Sequence, residues 1–360
     1  RKPLLSQVIL SLIIDPYLSY CHHIMINAAI IGMGVWGQNL VNSTQGLSHS
    51  IRFTAGATRT PSKAADFAAR HGIRLMDSYS AVLADPDIHA VVLATPHSMH
   101  TDQIVAAAEA GKHVFCEKPL GLDGASTRRA AEAAARHDVV LGVGYNWRFQ
   151  PALREIRRMI DDGRLGRVLH IEGNFCGPSA YRFPRGHWRH AGDESPAGGM
   201  TGRGVHVIDA MMFLAGPIDA VTAQSFRLAQ DFGSDDTTSM LLHFAGGSTG
   251  YLGTVIATAE TWRMQVFGAN GWARVGGVQH LNTWELTTCM VDRDNIMNKR
   301  EPEVIRFGDV STERAELEHF AQCIVEHRPL VTPDGDAVRN AQVLEAIIRS
   351  STTHETVRLP

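Results

Sequence analysis

Short, wholly apolar runs alternate with longer amphipathic stretches over the first 145 residues of the chain. Ala28–Ile31 is such a run, and it ends on a glycine, as a strand buried on both faces of a parallel sheet does. Phe53–Ala57, Ala90–Ala94, Val114–Cys116 and Val139–Val143 repeat the pattern. Between them, Trp36–Gln45, the alanine-rich stretch from Pro61 to Gly72, Met99–Ala110 and Ala125–His137 carry helical periodicity. Tyr79–Ala84 is a short helix stopped by Asp85 and Pro86. Strands alternating with helices of this length predict βαβ units and a parallel sheet.

The texture changes after Tyr145. Pro151–Asp161 reads as a helix, and Arg167–Phe175 alternates like a half-exposed strand. A glycine-rich loop, Ala197–Gly204, leads into a helix at Val205–Leu214. Ala220–Leu228, Thr237–Phe244, Ser248–Thr258, Arg263–Gly268 and Ala273–Gly276 then follow as strands, separated by glycines and polar pairs. Helices return at Arg314–His327 and Asp336–Ser350. The fold class is α/β: a Rossmann-type dinucleotide-binding domain over 25–145, then an α+β domain with a largely antiparallel open sheet over 146–360.

The 360 residues suffice for two domains at roughly 100–200 residues each. A net charge of -3 gives no pull toward nucleic acid or anionic membrane, so neither is an expected partner. The basic run Arg154–Arg158 lies in a helical pattern and reads as a solvated face. Five cysteines, odd in number and without ligand spacing, argue against a metal site or a disulfide framework and fit reduced thiols in a cytoplasm. Val8–Ile14 is apolar, but Asp15-Pro16 interrupts it well short of the ~20 residues a membrane span needs. Met25-Ile26-Asn27 runs straight into the first strand. Residues 1–24 therefore read as an extension that precedes the natural start and lies outside the fold.

Gly32-Met33-Gly34-Val35-Trp36-Gly37 follows an apolar strand and opens a helix, the setting in which a GxGxxG sequence binds a dinucleotide. Gly32 makes the tight turn, Gly34 admits the pyrophosphate, and Gly37 lets helix and strand pack. The phosphates rest on free amides at the helix start. An NAD site places an acid about 20 residues further on, at the end of the second strand, to hold the ribose 2′-hydroxyl. No Asp or Glu occurs here before Asp66. The strand ends instead in Thr58-Arg59-Thr60, with Lys63 a turn later, cations that suit a 2′-phosphate. NADP(H) is the expected cofactor. NAD(H) is the alternative, with Arg59 stacked on the adenine.

Cys116-Glu117-Lys118-Pro119-Leu120 closes the fourth strand, where ligands of an open α/β sheet collect. Taken alone, Lys118 is an ordinary exposed lysine; at the nicotinamide side, its ammonium can donate to a substrate oxygen. Five segments together resemble the Gfo/Idh/MocA oxidoreductase family. They are Ile30–Gly37; Ala94-Thr95-Pro96-His97 with His100; Ala110–Val114 leading to Glu117-Lys118-Pro119; Gly144–Pro151; and Gly198–Met200 through Gly204–Asp209. The resemblance covers the chain from about Met25 onward. It implies hydride transfer between a nicotinamide and a hydroxyl or keto carbon, with a second-domain sheet through which copies pair as dimers or tetramers.

The same resemblance implies that Lys118 is the catalytic lysine and His206 the general acid/base, a task suited to imidazole. It places Thr95, Pro96, His97, His100, Glu117 and Asn146 at the cofactor, and Arg148 and Asp209 at the substrate. One departure stands out: relatives commonly carry an Asp where this chain has Gly202. Asp193, Glu194 and Asp209 are candidates to replace it. Tyr181, Arg182, Arg185, His187, Trp188, Arg189 and His190 cluster before the glycine-rich loop. Of these, Arg182, Trp188 and Arg189 are the expected substrate contacts, in a mixture that suits a sugar-like polyol or a carboxylated ring. The leading expectation is an NADP-dependent dehydrogenase of a sugar, inositol or related cyclic polyol. A dihydrodiol-type dehydrogenase and a catalytically silent nucleotide sensor are the alternatives.

Overall fold

The computed structural model describes residues 24–360; the apolar run Val8–Ile14, Cys21 and the rest of 1–23 lie outside them. The first apolar runs form strands β1 (Ile26–Ile31), β2 (Ile51–Ala57), β3 (Arg74–Leu75), β4 (Ala90–Leu93), β5 (His113–Cys116) and β6 (Leu141–Val143). Helices α1 (Val35–Thr44), α2 (Pro61–Arg70), α3 (Tyr79–Ala84), α4 (His100–Glu109) and α5 (Gly124–Arg136) connect them. The sheet is parallel, in the order β3-β2-β1-β4-β5-β6. Strand order reverses between β1 and β4, which opens a crevice at the carboxyl edge of the sheet. The turns after β1, β4 and β5 all meet there.

The second half supplies α6 (Pro151–Asp161), β7 (Val168–Cys176), the single turn α7 (Ser179–Arg182) and α8 (Val205–Ala215). Strands β8 (Ile218–Phe226), β9 (Thr237–Phe244), β10 (Thr249–Val255), β11 (Thr261–Gly268), β12 (Gly271–Gly277), β13 (Glu285–Met290) and β14 (Glu303–Arg306) follow. Helices α9 (Thr312–Glu326) and α10 (Asp334–Thr353) and strand β15 (Val357–Arg358) end the chain. The nine-stranded sheet runs β14-β13-β12-β11-β7-β10-β9-β8-β15, antiparallel except where β7 meets β10. Its buried side chains alternate along each strand and pack against α6, α8 and α10, leaving the other face open.

Several expectations needed correction. Val139–Val143 contracts to Leu141–Val143, because Val140 spends its amide on the His113 ring. β3, β13, β14 and β15 were not anticipated; all are short or lie at sheet margins, where periodicity has little length to show itself. The glycine-rich segment closes not as a loop but as a π-helical turn, Met200–Gly204, continuous with α8. Among the described residues no helix is long and apolar enough to cross a membrane, and no cluster of three His, Cys, Asp or Glu is arranged for a metal.

Two features lock the halves together. Leu317, Phe320, Ala321 and Ile324 of α9 enter the core of the first sheet, where Phe320 meets Phe115 edge-on at 5.7 Å. Second, Arg148 follows β6 in a short 3-10 turn (Asn146–Phe149) and is fully buried with Asp209 of α8. Its Nε donates to both Asp209 carboxylate oxygens, at 3.1 and 2.9 Å, and Nη2 donates to Asp209 Oδ1 at 2.7 Å. The remaining bonds run to Asp336 Oδ2 at 2.8 Å and Val331 O at 2.7 Å. Removing one partner of such a pair strands the other charge without water. Asp209→Ala should therefore lower the unfolding free energy by about 3–5 kcal/mol. Urea denaturation measures it, and a loss below ~1 kcal/mol would contradict the role given to the pair.

Candidate active site

The turn after β1 is shaped by close approach. Gly32 sits at φ 91°, and a Cβ there would lie 2.5 Å from Ala94 O. A Cβ on Gly37 would meet Gly32 O at 2.0 Å, so only glycine lets α1 start against the strand. At Gly34 a Cβ would meet nothing within 4 Å, which leaves the backbone open to a ligand. α1 begins at Gly34 with no side-chain cap, so its first-turn amides remain unclaimed. Met33 is buried, Val35 exposed and Trp36 half-buried, so the loop offers backbone rather than side chains. This cradle fits a dinucleotide pyrophosphate.

At the end of β2, Thr58 is half-buried while Arg59 and Lys63 are exposed, and neither cation joins an ion pair among the described residues. The first turn of α2 carries no acid. Two exposed cations, and no carboxylate, therefore follow the end of β2.

The turns after β4 and β5 build the other end. Thr95 Oγ1 donates to Gln103 Oε1 at 2.5 Å, and Pro96 leads into the 3-10 turn His97–Met99. His100 is buried between Pro119 O at 2.8 Å and Thr95 O at 3.0 Å, bracing one turn against the other. Both of its ring nitrogens are occupied by protein, so the expected cofactor contact through its side chain is corrected to a support beneath the turns. Asn146 is likewise buried, its amide donating to Thr312 Oγ1 and Glu313 Oε1 of α9 at 3.3 and 3.1 Å. Arg148 and Asp209, expected at the substrate, are bonded to each other, and Arg148 also to Asp336 and Val331 O.

Lys118 points across the crevice, and its Nζ donates to Gly202 O at 2.8 Å. The π-helical turn brings that carbonyl to the lysine. Burial depresses the Lys118 pKa to about 8, against the pull of Glu117 and with help from Arg189 and Arg203. Glu117 is itself buried, and desolvation raises it to about 7 despite Lys118. His206, the second residue of α8, is buried beside Trp147, with ring centroids 5.9 Å apart and planes 14° from parallel. Desolvation, then the charge of Lys118, hold its pKa well below the ordinary range, so it is a neutral imidazole. None of Asp193, Glu194 and Asp209 hydrogen-bonds His206 in the place of the missing acid: its Nδ1 is shut in without a partner. Glu194 instead accepts from Ser98, and Asp193 is exposed.

The segment before the π-helical turn crosses this crevice. His97 donates through Nδ1 to Glu194 O at 2.8 Å and meets Trp188 edge-on at 5.5 Å. Arg189 lies over the Trp188 ring at 4.3 Å, and both Arg182 and Arg189 are exposed. Burial takes His97 down to about 3. Sequence reasoning assigned no role to Phe175, Arg203, Glu260 or His280. Arg203 pairs with Glu260 at 2.8 Å and covers Phe175 at 4.3 Å, and Phe175 stacks on His280 at 4.7 Å. They come from four separated segments, which no local pattern joins.

With this geometry in place, the comparisons are specific. Residues 26–145 match the model of the oxidoreductase family GFO_IDH_MocA, NAD-binding Rossmann fold, and residues 153–274 match the GFO/IDH/MocA C-terminal domain. Levoglucosan dehydrogenase of Pseudarthrobacter phenanthrenivorans is 35% identical over 169 residues, 46% of this chain and 43% of that relative. The scyllo-inositol 2-dehydrogenase (NAD(+)) of Bacillus subtilis is 28% identical over 88% of this chain and 92% of its own. A solved levoglucosan dehydrogenase, in complex with NADH and L-sorbose, superposes with a TM-score of 0.85 at 24% identity, covering 93% of this chain and 99% of that one, a likeness of fold.

The half-buried Lys118 ammonium gives a direct measurement. NMR titration of isotopically labelled lysines should show one side chain with a midpoint near pH 8, assigned by its disappearance in Lys118→Ala. Titration above pH ~10, as for a free lysine, would show that burial does not act on it.

Proposed function

The chain belongs to the GFO/IDH/MocA oxidoreductase family, and from that premise we propose an NADP-preferring dehydrogenase of a sugar, inositol or related cyclic polyol. The observation that carries this reading is the convergence of Lys118 Nζ and the His206 ring at the carboxyl edge of the parallel sheet. The bound nicotinamide would supply the hydride-accepting carbon. The first-turn amides of α1, with Gly32, Gly34 and Gly37, hold the pyrophosphate. Arg59 and Lys63 take the 2′-phosphate, assisted by Thr58. Thr95, Pro96 and His97 line the nicotinamide side, and Glu117 holds Lys118 from beneath.

Lys118 donates to the substrate oxygen as its carbon gives up a hydride, and so stabilises the charge that develops there. His206, kept neutral by burial, is in the protonation state that accepts the hydroxyl proton. Trp188 and the Arg182 and Arg189 side chains form the substrate wall. Ring oxidation of a dihydrodiol would use the same two groups. Gly202 favours a second reading, a nucleotide sensor without turnover, because no carboxylate supports His206. The retained lysine and histidine favour the enzyme.

The names of similar proteins mention both NAD(H) and NADP(H). The acid-free end of β2 favours the phosphorylated cofactor in this chain. Activity across a panel of polyols with both cofactors, followed at 340 nm, tests the assignment. The expected result is kcat/KM at least ~10-fold higher with NADP⁺, a 1.4 kcal/mol preference, and its loss in Arg59→Asp. Equal efficiency with both cofactors would refute the preference. Lys118→Ala should cost at least ~100-fold in kcat, and an active Lys118→Ala enzyme would refute the mechanism.

The open face of the nine-stranded sheet carries exposed Leu241 and Tyr251 side by side on paired strands. It supports association of copies through that face. Light scattering should return at least twice the 39.3 kDa chain mass, and a single-chain mass would refute it.

A further inference from the structure

The crevice carries three cations, Lys118, Arg189 and Arg203, and the acids Glu117, Glu194, Glu260 and Glu316, the last buried on α9 and close enough to act on Lys118. Among the described residues Lys118 Nζ bonds only to the Gly202 carbonyl. Arg203 is neutralised by Glu260, through bonds at 2.8 and 3.1 Å. Glu194 is engaged by the Ser98 amide and hydroxyl. Glu117 lies behind Lys118 and is buried. Arg189 has no carboxylate partner among the described residues. Its guanidinium lies over Trp188 at 4.3 Å and Phe183 at 5.2 Å. It is close enough to Lys118 and His97 for its charge to act on both.

A guanidinium stacked on a ring keeps its in-plane N–H edge free. That edge matches the two oxygens of a carboxylate. The neighbouring histidines, His97, His206 and His280, are all held neutral by burial and add no second cation to compete with Arg189 for a carboxylate. Gly202 matters here for what it lacks. An acid at this position would stand beside Lys118 and repel an anionic substrate. A Cβ there would meet nothing within 4 Å, so space did not dictate the glycine.

Resting on the dehydrogenase reading above, we propose that the substrate is an acidic cyclic polyol, such as a uronate, whose carboxylate is held by Arg189 while Lys118 engages the reacting hydroxyl. The site then discriminates by charge: a neutral sugar leaves Arg189 unpaired beside Lys118, and the acid relieves that repulsion.

The test uses the full chain with NADP⁺ and matched pairs, galacturonate against galactose and glucuronate against glucose. The expected result is kcat/KM at least ~10-fold higher for the acid, a difference of one charge-assisted hydrogen-bonded pair. Arg189→Gln should reduce the acid-to-neutral ratio at least ~10-fold without raising the KM for NADP⁺, and Arg189→Lys should restore part of it. Gly202→Asp should move the ratio in the same direction as Arg189→Gln. Calorimetry of the uronates with the cofactor-loaded protein separates the two levels of the argument. Arg189-dependent binding without turnover would uphold the carboxylate site and overturn the dehydrogenase reading. Turnover of neutral sugars with no preference for the acids, or a ratio unmoved by Arg189→Gln, would overturn the carboxylate site alone. Neither binding nor turnover of any uronate would overturn it as well.

Discussion

Asp209 lies one helical turn beyond His206, and its carboxylate is gripped on two edges by Arg148. That grip sets the rotation of α8 about its own axis. Arg148 comes from the turn just after β6, so the same bonds tie the helix to the parallel sheet that carries Lys118. Asp336 and Val331 O complete the guanidinium's partners and bring the start of α10 into register. A buried ion pair adds little net stability over apolar residues of the same volume. Its effect here is directional: apolar packing would hold α8 in place but would not fix which side of it faces Lys118.

Desolvation governs the chemistry of the crevice. It lowers Lys118, raises Glu117 and keeps three histidines neutral within one small volume. Charges in such a place need partners from the protein or from what binds there. Lys118 has a carbonyl, Arg203 has Glu260, and Arg189 has only aromatic faces.

The glycine loop was legible in the sequence because its causes are local. Gly32 needs a positive φ, and Gly37 needs to clear an oxygen five residues back, so six consecutive residues carry the whole signal. The parallel sheet was legible for a similar reason, since each buried strand announces itself in its own composition. The partnership of Arg148 with Asp209 joins residues 61 apart, and that of Asn146 with Glu313 joins residues 167 apart. Sequence set Asn146 at the cofactor and Arg148 and Asp209 at the substrate and gave Glu313 no role, because nothing local shows that these side chains meet one another. His280 follows a turn of no regular pattern, and only pairing of β11 with β7 brings it beside Phe175.

Helix α9 belongs to the second half of the chain but fills the core of the first. Leu317, Phe320 and Ile324 complete the apolar layer over β1, β2 and β5. During synthesis the parallel sheet therefore leaves the ribosome with that layer open, and Phe115 stays uncovered until the chain has been made as far as Ile324. The cofactor-binding half cannot finish folding ahead of the rest, as a free-standing domain would. A break anywhere between β6 and α9 would leave an N-terminal piece with the apolar side that α9 covers open to water.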